Sequence, residues 1–198
     1  MSTYPVTGSI TGFWGKLPAR GDFVRVGLSR GFLDAWDAWF CAVIAAAQEQ
    51  LAEDWAENWL VAPVWRFALS ADLCGPHAVL GLWMPSVDRA GRHFPLTIAA
   101  EVPGVTASHL AAAGSAWLDA AEAAGRAALA EMLAPEELMA RLPPFSAGAS
   151  DEQWDAESLW WTEGSPHVDA QQLALPTLPF SDQFIRMIAG AERRDAVP

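Results

Sequence analysis

The sequence predicts an α+β fold in a single domain, with an antiparallel sheet of about five strands covered by helices. Three observations lead to this prediction. The chain has 198 residues, of which 52% are hydrophobic and 18% are charged, so it can bury one sizeable core. Apolar residues recur at helical spacing in two long segments. Between those segments lie short apolar runs bounded by glycine and proline, which is typical of strands joined by turns.

The amino-terminal elements follow from these patterns. Residues 1–8 are expected to be a flexible tail, and residues 9–15 a short strand that enters a glycine-rich loop. Apolar residues then recur every three or four positions from Phe32 to Leu51, which predicts an amphipathic helix that Ser29 can cap. A shorter helix is expected over residues 53–60, because Pro63 stops it from continuing.

The central part of the chain changes from helical spacing to short apolar runs. Strands are expected at residues 64–70, 77–85 and 94–102, with turns at 74–76 and 88–92. An alanine-rich helix is expected over residues 107–134, followed by a short helix over Pro135–Arg141.

The carboxyl-terminal part carries weaker signals. Residues 143–157 are expected to form a flexible loop, 159–161 an edge strand and 182–189 a last helix. Residues 191–198 are expected to be a tail, which leaves residues 9–190 as the single domain.

Charge is unevenly distributed along the chain. Residues 1–100 contain seven Lys/Arg and nine Asp/Glu, a balance of −2, whereas residues 101–198 contain five and fifteen, a balance of −10. Residues 12–30 nevertheless hold Lys16, Arg20, Arg25 and Arg30 against Asp22 alone. The acidic total argues against a nucleic-acid groove. The local basic cluster suits an acidic or phosphorylated partner.

The chain is expected to be cytoplasmic. Its amino terminus lacks the basic and apolar regions of a signal peptide, and no apolar run is long enough to predict a membrane span. The two cysteines, Cys41 and Cys74, are expected to be buried thiols, with a single disulfide as the open alternative.

Two loops combine glycine and proline with charged side chains, within residues 12–25 and 84–96. Such shaped, charged loops either form a recognition surface or hold each other in place through ion pairs. We expect at least one ion pair between them. The candidate partner-binding residues are Lys16, Arg20, Asp22, Arg25, Asp88, Arg89 and Arg92.

Two patterns resemble catalytic motifs without completing them. Gly15-Lys16 lacks the other residues of a phosphate-binding loop, since Ile10 and Leu17 occupy the positions that require glycine and a hydroxyl. Ser86, Asp88 and His93 surround a single predicted turn, which favours turn residues over a catalytic triad. We therefore expect no catalytic, cofactor-binding or metal-binding residues.

Arg66 lies between two aromatic residues of a predicted strand, so it faces away from them. A structural ion pair with a carboxylate such as Asp88 or Asp22 is the favoured role, with solvent exposure or partner binding as the open alternatives.

The loops also carry a resemblance. The segments GFWGKLPARGDF from Gly12, WRF from Trp65 and MPSVDRAGR from Met84, with Leu159-Trp160-Trp161, resemble the TagF/ImpM family of type VI secretion accessory proteins. The resemblance implies a non-catalytic, post-translational repressor that binds a forkhead-associated scaffold protein. It also implies a pathway with a threonine kinase and an opposing phosphatase. A small hydrolase or nucleotide-dependent enzyme that uses loop 12–25 is the alternative function.

Overall fold

The computed structural model of the chain describes residues 4–5, 8–147 and 154–190. Its strands are β1 (Tyr4–Pro5), β2 (Ile10–Gly15), β3 (Val24–Val26), β4 (Trp65–Leu69), β5 (Ala78–Val87), β6 (His93–Val102), β7 (Ser146–Ala147), β8 (Ser158–Thr162) and β9 (Gln171–Leu175). Its α-helices are α1 (Arg30–Leu51), α2 (Trp55–Val61), α3 (Ala107–Ala113), α4 (Ser115–Ala130), α5 (Pro135–Arg141) and α6 (Ser181–Ala189).

Seven of the strands form one antiparallel sheet in the order β3-β2-β6-β5-β4-β8-β9. The two ten-residue strands β5 and β6 form its centre, and the turn between them starts after the pair Val87 and His93. The predicted α+β class with an antiparallel sheet is confirmed, although the sheet has seven strands rather than about five. A separate two-stranded ladder joins β1 to β7.

Helices cover both faces of the sheet. Strand β5 shows why, since Val79 and Trp83 pack into the core under α1, α2 and α6, whereas Leu80 and Leu82 pack into the core under α3, α4 and α5. Successive side chains of a strand point to opposite faces, so a strand that is apolar throughout must be covered on both sides. The molecule therefore has three layers, with the sheet in the middle.

Helix α1 begins where the sequence predicts. The Ser29 hydroxyl accepts a hydrogen bond from the Phe32 backbone N–H, and both carboxylate oxygens of the buried Glu101 hold Ser29 in turn. Trp36 is fully buried on the sheet side of the helix, and its indole N–H donates to the Thr97 hydroxyl on β6 at 3.0 Å. This bond anchors the middle of α1 to the sheet.

Several elements differ from the sequence predictions. The helix expected over residues 107–134 is two helices that meet at Gly114, where a β-carbon would collide with the Leu80 side chain and the Leu110 carbonyl oxygen. Strand β8 is not an edge, because β9 pairs with it on the outside. Strands β3 and β9 were not predicted from the sequence.

The predicted terminal and loop segments lie partly outside the described residues. Tyr4–Pro5 of the expected tail and Ser146–Ala147 of the expected loop form the β1–β7 ladder. Residues 1–3, 6–7, 148–153 and 191–198 are outside the part of the chain that the structure describes.

The prediction of two buried thiols is wrong for Cys41, which is exposed on α1, whereas Cys74 is buried. The two are free thiols, which also excludes the alternative of a disulfide. Cys41 lies outside the apolar stripe of its helix, although the residues beside it are apolar. Burial raises the pKa of the Cys74 thiol to about 12. Over the described residues, none of the helices has the length and apolar character needed to cross a membrane.

Candidate functional site

The two charged loops lie side by side at one end of the sheet. We call them the paired loops and define them as residues 16–23, between β2 and β3, and residues 88–92, between β5 and β6. Strands β2 and β6 are neighbours, and Gly15 at the end of β2 pairs with Leu96 near the start of β6. The antiparallel register therefore brings both loops to the same place.

Backbone contacts connect the paired loops directly. The Arg89 backbone N–H donates to the Arg20 carbonyl at 2.9 Å, and the Arg92 guanidinium donates to the Gly21 carbonyl at 2.8 Å. The second loop thus donates both hydrogen bonds and the first loop accepts them, and neither loop can move without breaking these bonds.

A buried ion pair lies beneath these contacts. The Lys16 ammonium is 2.8 Å from the Asp88 carboxylate, and the two side chains are 7% and 0% exposed. The predicted ion pair between the loops is therefore present, and it consists of Lys16 and Asp88. A buried charge needs such a partner, because desolvation otherwise disfavours it strongly.

Asp88 also organises its own turn. Its carboxylate accepts hydrogen bonds from the backbone N–H groups of Ala90 and Arg92, each at 2.9 Å, and from the Arg92 side chain at 2.6 Å. Burial alone would raise the pKa of this carboxyl. The bonds from Lys16, Arg92 and Ala90 outweigh it and hold the pKa of Asp88 well below its usual range.

Two further residues, Ser86 and Trp59, support the Lys16–Asp88 pair from inside the protein. The buried Ser86 donates its hydroxyl hydrogen to the Lys16 carbonyl at 2.8 Å. The Trp59 indole N–H on α2 donates to the Ser86 carbonyl at 3.1 Å. From the sequence, Ser86 is predicted only as a turn residue, and no role at the site is predicted for Trp59.

Glycine gives the first loop its path. Gly15 has a φ of +130°, a region that favours glycine, and a β-carbon there would collide with the Pro95 carbonyl oxygen. Gly12 has ordinary backbone angles, but a β-carbon would collide with the Val26 carbonyl oxygen. By contrast, Gly21 has open space around it.

Four arginines point outward from this framework. The side chains of Arg20, Arg25 and Arg92 are 50%, 54% and 64% exposed, and Arg89 is exposed as well. The Arg20 guanidinium is 3.6 Å from the Glu136 carboxylate, and the Arg25 guanidinium is 4.0 Å from that of Asp37. Within the described part of the chain, the Arg89 side chain has no hydrogen-bonding or ionic partner.

An exposed aromatic ring lies among these arginines. Phe23 is 44% exposed, although one face of its ring packs against Phe94, with a centroid separation of 4.7 Å. The Lys16 ammonium lies 5.2 Å from the ring centroid on the inner side. No spacing pattern in the sequence marks Phe23, because its exposure depends on the loop path.

We call the exposed side chains around the paired loops, together with Asp22, the paired-loop surface. Within it, Arg20 lies toward α5 on one face of the sheet and Arg25 toward α1 on the other. Of the seven predicted partner-binding residues, Lys16 and Asp88 are buried and support the loops. The other five are exposed. The members of the surface are Arg20, Asp22, Phe23, Arg25, Arg89 and Arg92.

Arg66 forms an ion pair, but its predicted partners are wrong. Its guanidinium is 2.8 Å from Asp119 and 2.9 Å from Glu122, both on α4, rather than near Asp88 or Asp22. Arg66 faces the α3–α4 side of the sheet, whereas Asp88 lies at the end of β5. Burial lowers the pKa of Arg66, but the hydrogen bonds that its guanidinium donates to these two carboxylates outweigh burial and raise the pKa.

The described residues offer little catalytic chemistry at this place. The Lys16 ammonium is committed to Asp88, and the Ser86 hydroxyl to a backbone carbonyl. Burial lowers the pKa of His93. Across the described ranges, no group of three or more His, Cys, Asp or Glu side chains is arranged to hold a metal ion.

Comparison with known proteins adds a family to this geometry. The model of the TagF N-terminal domain, described as type VI secretion system-associated, matches residues 12–144, which include both paired loops. The chain is also similar to the crystal structure of PA0076 from Pseudomonas aeruginosa PAO1. The two are 32% identical, with a TM-score of 0.79 over 95% of this chain and 97% of that chain. No curated protein matches.

Proposed function

The chain belongs to the TagF N-terminal domain family of type VI secretion-associated proteins, and from this we propose a specific regulatory role. An accessory role in type VI secretion follows from the family. The finer proposal is a non-catalytic, cytoplasmic repressor that acts after translation. It binds the forkhead-associated scaffold protein of the secretion system through the paired-loop surface, within a pathway that contains a threonine kinase and an opposing phosphatase.

One observation carries the proposal: exposed arginines stand on a rigid, buried support in a protein of net charge −12. The Lys16–Asp88 pair and the cross-loop hydrogen bonds fix both loops before any partner arrives. A surface that is already ordered loses less conformational entropy on binding. An isolated basic area on an acidic protein also selects its partner by charge.

The side chains at the surface indicate the chemistry of the partner. A guanidinium presents planar, forked donors that match a carboxylate or a phosphate group in a bidentate arrangement. Arg89 is exposed without a side-chain partner among the described residues, and the exposed Phe23 adds apolar area to the paired-loop surface. The scaffold would therefore contribute an acidic or phosphorylated patch with an apolar centre.

The geometry favours binding over the alternative of a hydrolase or nucleotide-dependent enzyme. A phosphate-binding lysine must reach a bound phosphate, whereas the Lys16 ammonium is buried against Asp88. A nucleophilic serine requires a nearby base, whereas the Ser86 hydroxyl donates to the Lys16 carbonyl. Saturable ATP or GTP binding in calorimetry, abolished by Lys16→Ala, would support the alternative instead.

A repression assay tests the proposal in cells that carry the secretion system. Overproduction of the parent protein should suppress secretion, and the double variant Arg20→Glu, Arg25→Glu should relieve that suppression. The weak, exposed contacts of both arginines mean that the variant should remain folded. Arg186→Glu on α6 provides a matched control for an exposed charge reversal and should still repress.

Co-purification of the scaffold should follow the same order. The parent and Arg186→Glu should retain it, and the double variant should lose it. A folded double variant that represses and co-purifies the scaffold like the parent would contradict the proposed surface.

A further inference from the structure

The opposite edge of the sheet has the features of a second binding site. Strand β9 is the last strand beyond β8, so the outer side of its backbone meets no other strand among the described residues. Edge strands are usually protected by charged side chains or proline. The five residues of β9, Gln171–Leu175, contain neither, and Gln171, Gln172 and Ala174 are exposed.

A cleft of about 460 Å³ adjoins the first half of this strand. Trp154 and Trp161 supply aromatic walls, Glu163 supplies a carboxylate, and Gln171 and Gln172 supply amides. The indole nitrogen of Trp154 is buried and has no hydrogen-bond partner.

The surroundings of the strand are strongly acidic. From residue 154 to residue 175, which the structure describes without a gap, the chain contains four Asp/Glu and no Lys or Arg. Asp155, Glu157, Glu163 and Asp169 of this stretch are exposed. A segment that docks here must therefore be basic, because like charges across an interface oppose binding.

We propose that β9 accepts an extended, basic segment of a partner protein as an eighth strand of the sheet, with a Lys or Arg side chain in the adjoining cleft. This mode of recognition uses the strand backbone for affinity and a side-chain pocket for specificity. The site lies across the sheet from the paired-loop surface and does not depend on the function proposed for that surface.

The register defines which side chains of the added strand enter the cleft. Trp161 on β8 is paired with Gln172 on β9, and Trp161 packs with the core on the α3–α4 side. Alternate residues of the added segment would fall on this side, where an aromatic ring and the Glu163 carboxylate both attract a cation. The intervening residues would lie beside Leu173 and Leu175, which pack on the α1 side.

Alternating basic and apolar residues are therefore the expected recognition pattern. A second copy of this chain is a poorer occupant, since its β9 would bring the same acidic side chains to the interface.

A labelled peptide with the sequence Arg-Val-Lys-Val-Arg-Val tests the site by fluorescence anisotropy and amide hydrogen exchange. It should bind saturably and slow exchange at residues 171–175 but not at residues 16–23. The isomer Arg-Lys-Arg-Val-Val-Val has the same composition without alternation and should bind more weakly. Ala174→Lys places a positive charge, the same sign as the peptide, at an exposed position of β9 and should weaken peptide binding about tenfold or more.

Ala45→Lys, at an exposed position of α1, is the matched control and should leave affinity unchanged. Equal binding of the two peptides, or an affinity that Ala174→Lys does not change, would overturn the proposal. Sedimentation supplies an independent check: a dimer that Ala174→Lys converts to a monomer would assign β9 to self-association and would also overturn it.

Discussion

Asp88 is the side chain on which the paired loops depend. It accepts hydrogen bonds from the Lys16 ammonium, the Arg92 guanidinium and two backbone N–H groups of its own turn. Removing the carboxylate would leave a buried lysine without its partner, which is costly. Asp88 thus connects the first loop to the second while giving the second loop its shape.

The lowered pKa of Asp88 makes stability depend on pH. A carboxyl whose pKa is lower in the folded than in the unfolded state adds stability above the unfolded value, about 3.9 for aspartate, and loses it as pH falls toward the folded value. Asp88→Asn should therefore be less stable than the parent at pH 7. The difference in the free energy of unfolding between Asp88→Asn and the parent should narrow below about pH 4.

Urea unfolding from pH 7 to pH 3 measures this difference. Glu131→Gln is the control, because Glu131 also has a lowered pKa but pairs with Arg141 at the surface, where an ion pair contributes little. A gap between Asp88→Asn and the parent that stays constant over this pH range would refute the role assigned to the carboxylate.

The break between α3 and α4 shows how packing divides a helix-forming sequence. Alanine and leucine favour helix on both sides of Gly114, and its φ of −98° is open to any residue. A β-carbon at Gly114 would instead collide with the Leu80 side chain on β5 and with the Leu110 carbonyl oxygen, so only glycine fits this close approach. The glycine lets the start of α4 approach the sheet.

Gly114→Ala should destabilise the protein by about 1–3 kcal/mol, because the added methyl group overpacks the contact with Leu80. Gly21→Ala is the matched control. The β-carbon of this alanine would have open space, so the free energy of unfolding should be unchanged or slightly higher. Chemical denaturation measures both variants. Equal stability of Gly114→Ala and the parent would show that this close contact does not set the helix break.

Elements whose apolar residues recur at a regular spacing could be predicted from the sequence. Short strands, and a strand without β-branched or aromatic residues, could not. Helix α1 has seven buried residues at helical spacing, and β5 and β6 are long apolar runs, so local sequence specifies them. Strand β3 has three residues, and β9 contains no β-branched or aromatic residue, so both depend on pairing with a neighbour. Gly114 could not be recognised as a break without knowing that Leu80 lies opposite.

The candidate site was predictable in composition but only partly in arrangement. Glycine, proline and charge marked both loops, and an ion pair between them was expected. That Lys16 would be buried against a residue 72 positions away depends on strand order, which no local pattern contains. The wrong partners for Arg66 have the same origin, since Asp119 and Glu122 reach it only because α4 covers that face.

The whole molecule separates charge across the sheet. Arg20 and Arg25 lie on or next to β3, which is six strand spacings from β9, or roughly 29 Å at about 4.8 Å each, whereas Arg89 and Arg92 follow β5, three spacings from β9. Screening extends over only about 10 Å at 0.1 M salt. The paired-loop surface and the acidic surroundings of β9 can therefore attract partners of opposite charge independently of each other.

Association kinetics with the forkhead-associated scaffold test the central claim most directly. The association rate of the parent protein should fall as the salt concentration rises, because charges at the rim of the interface steer the encounter and salt screens them. For Arg20→Glu, Arg25→Glu it should be slower and less dependent on salt, with an unchanged melting temperature. A variant that associates like the parent at both salt concentrations, or that loses thermal stability in place of association rate, would contradict the paired-loop surface as the binding site.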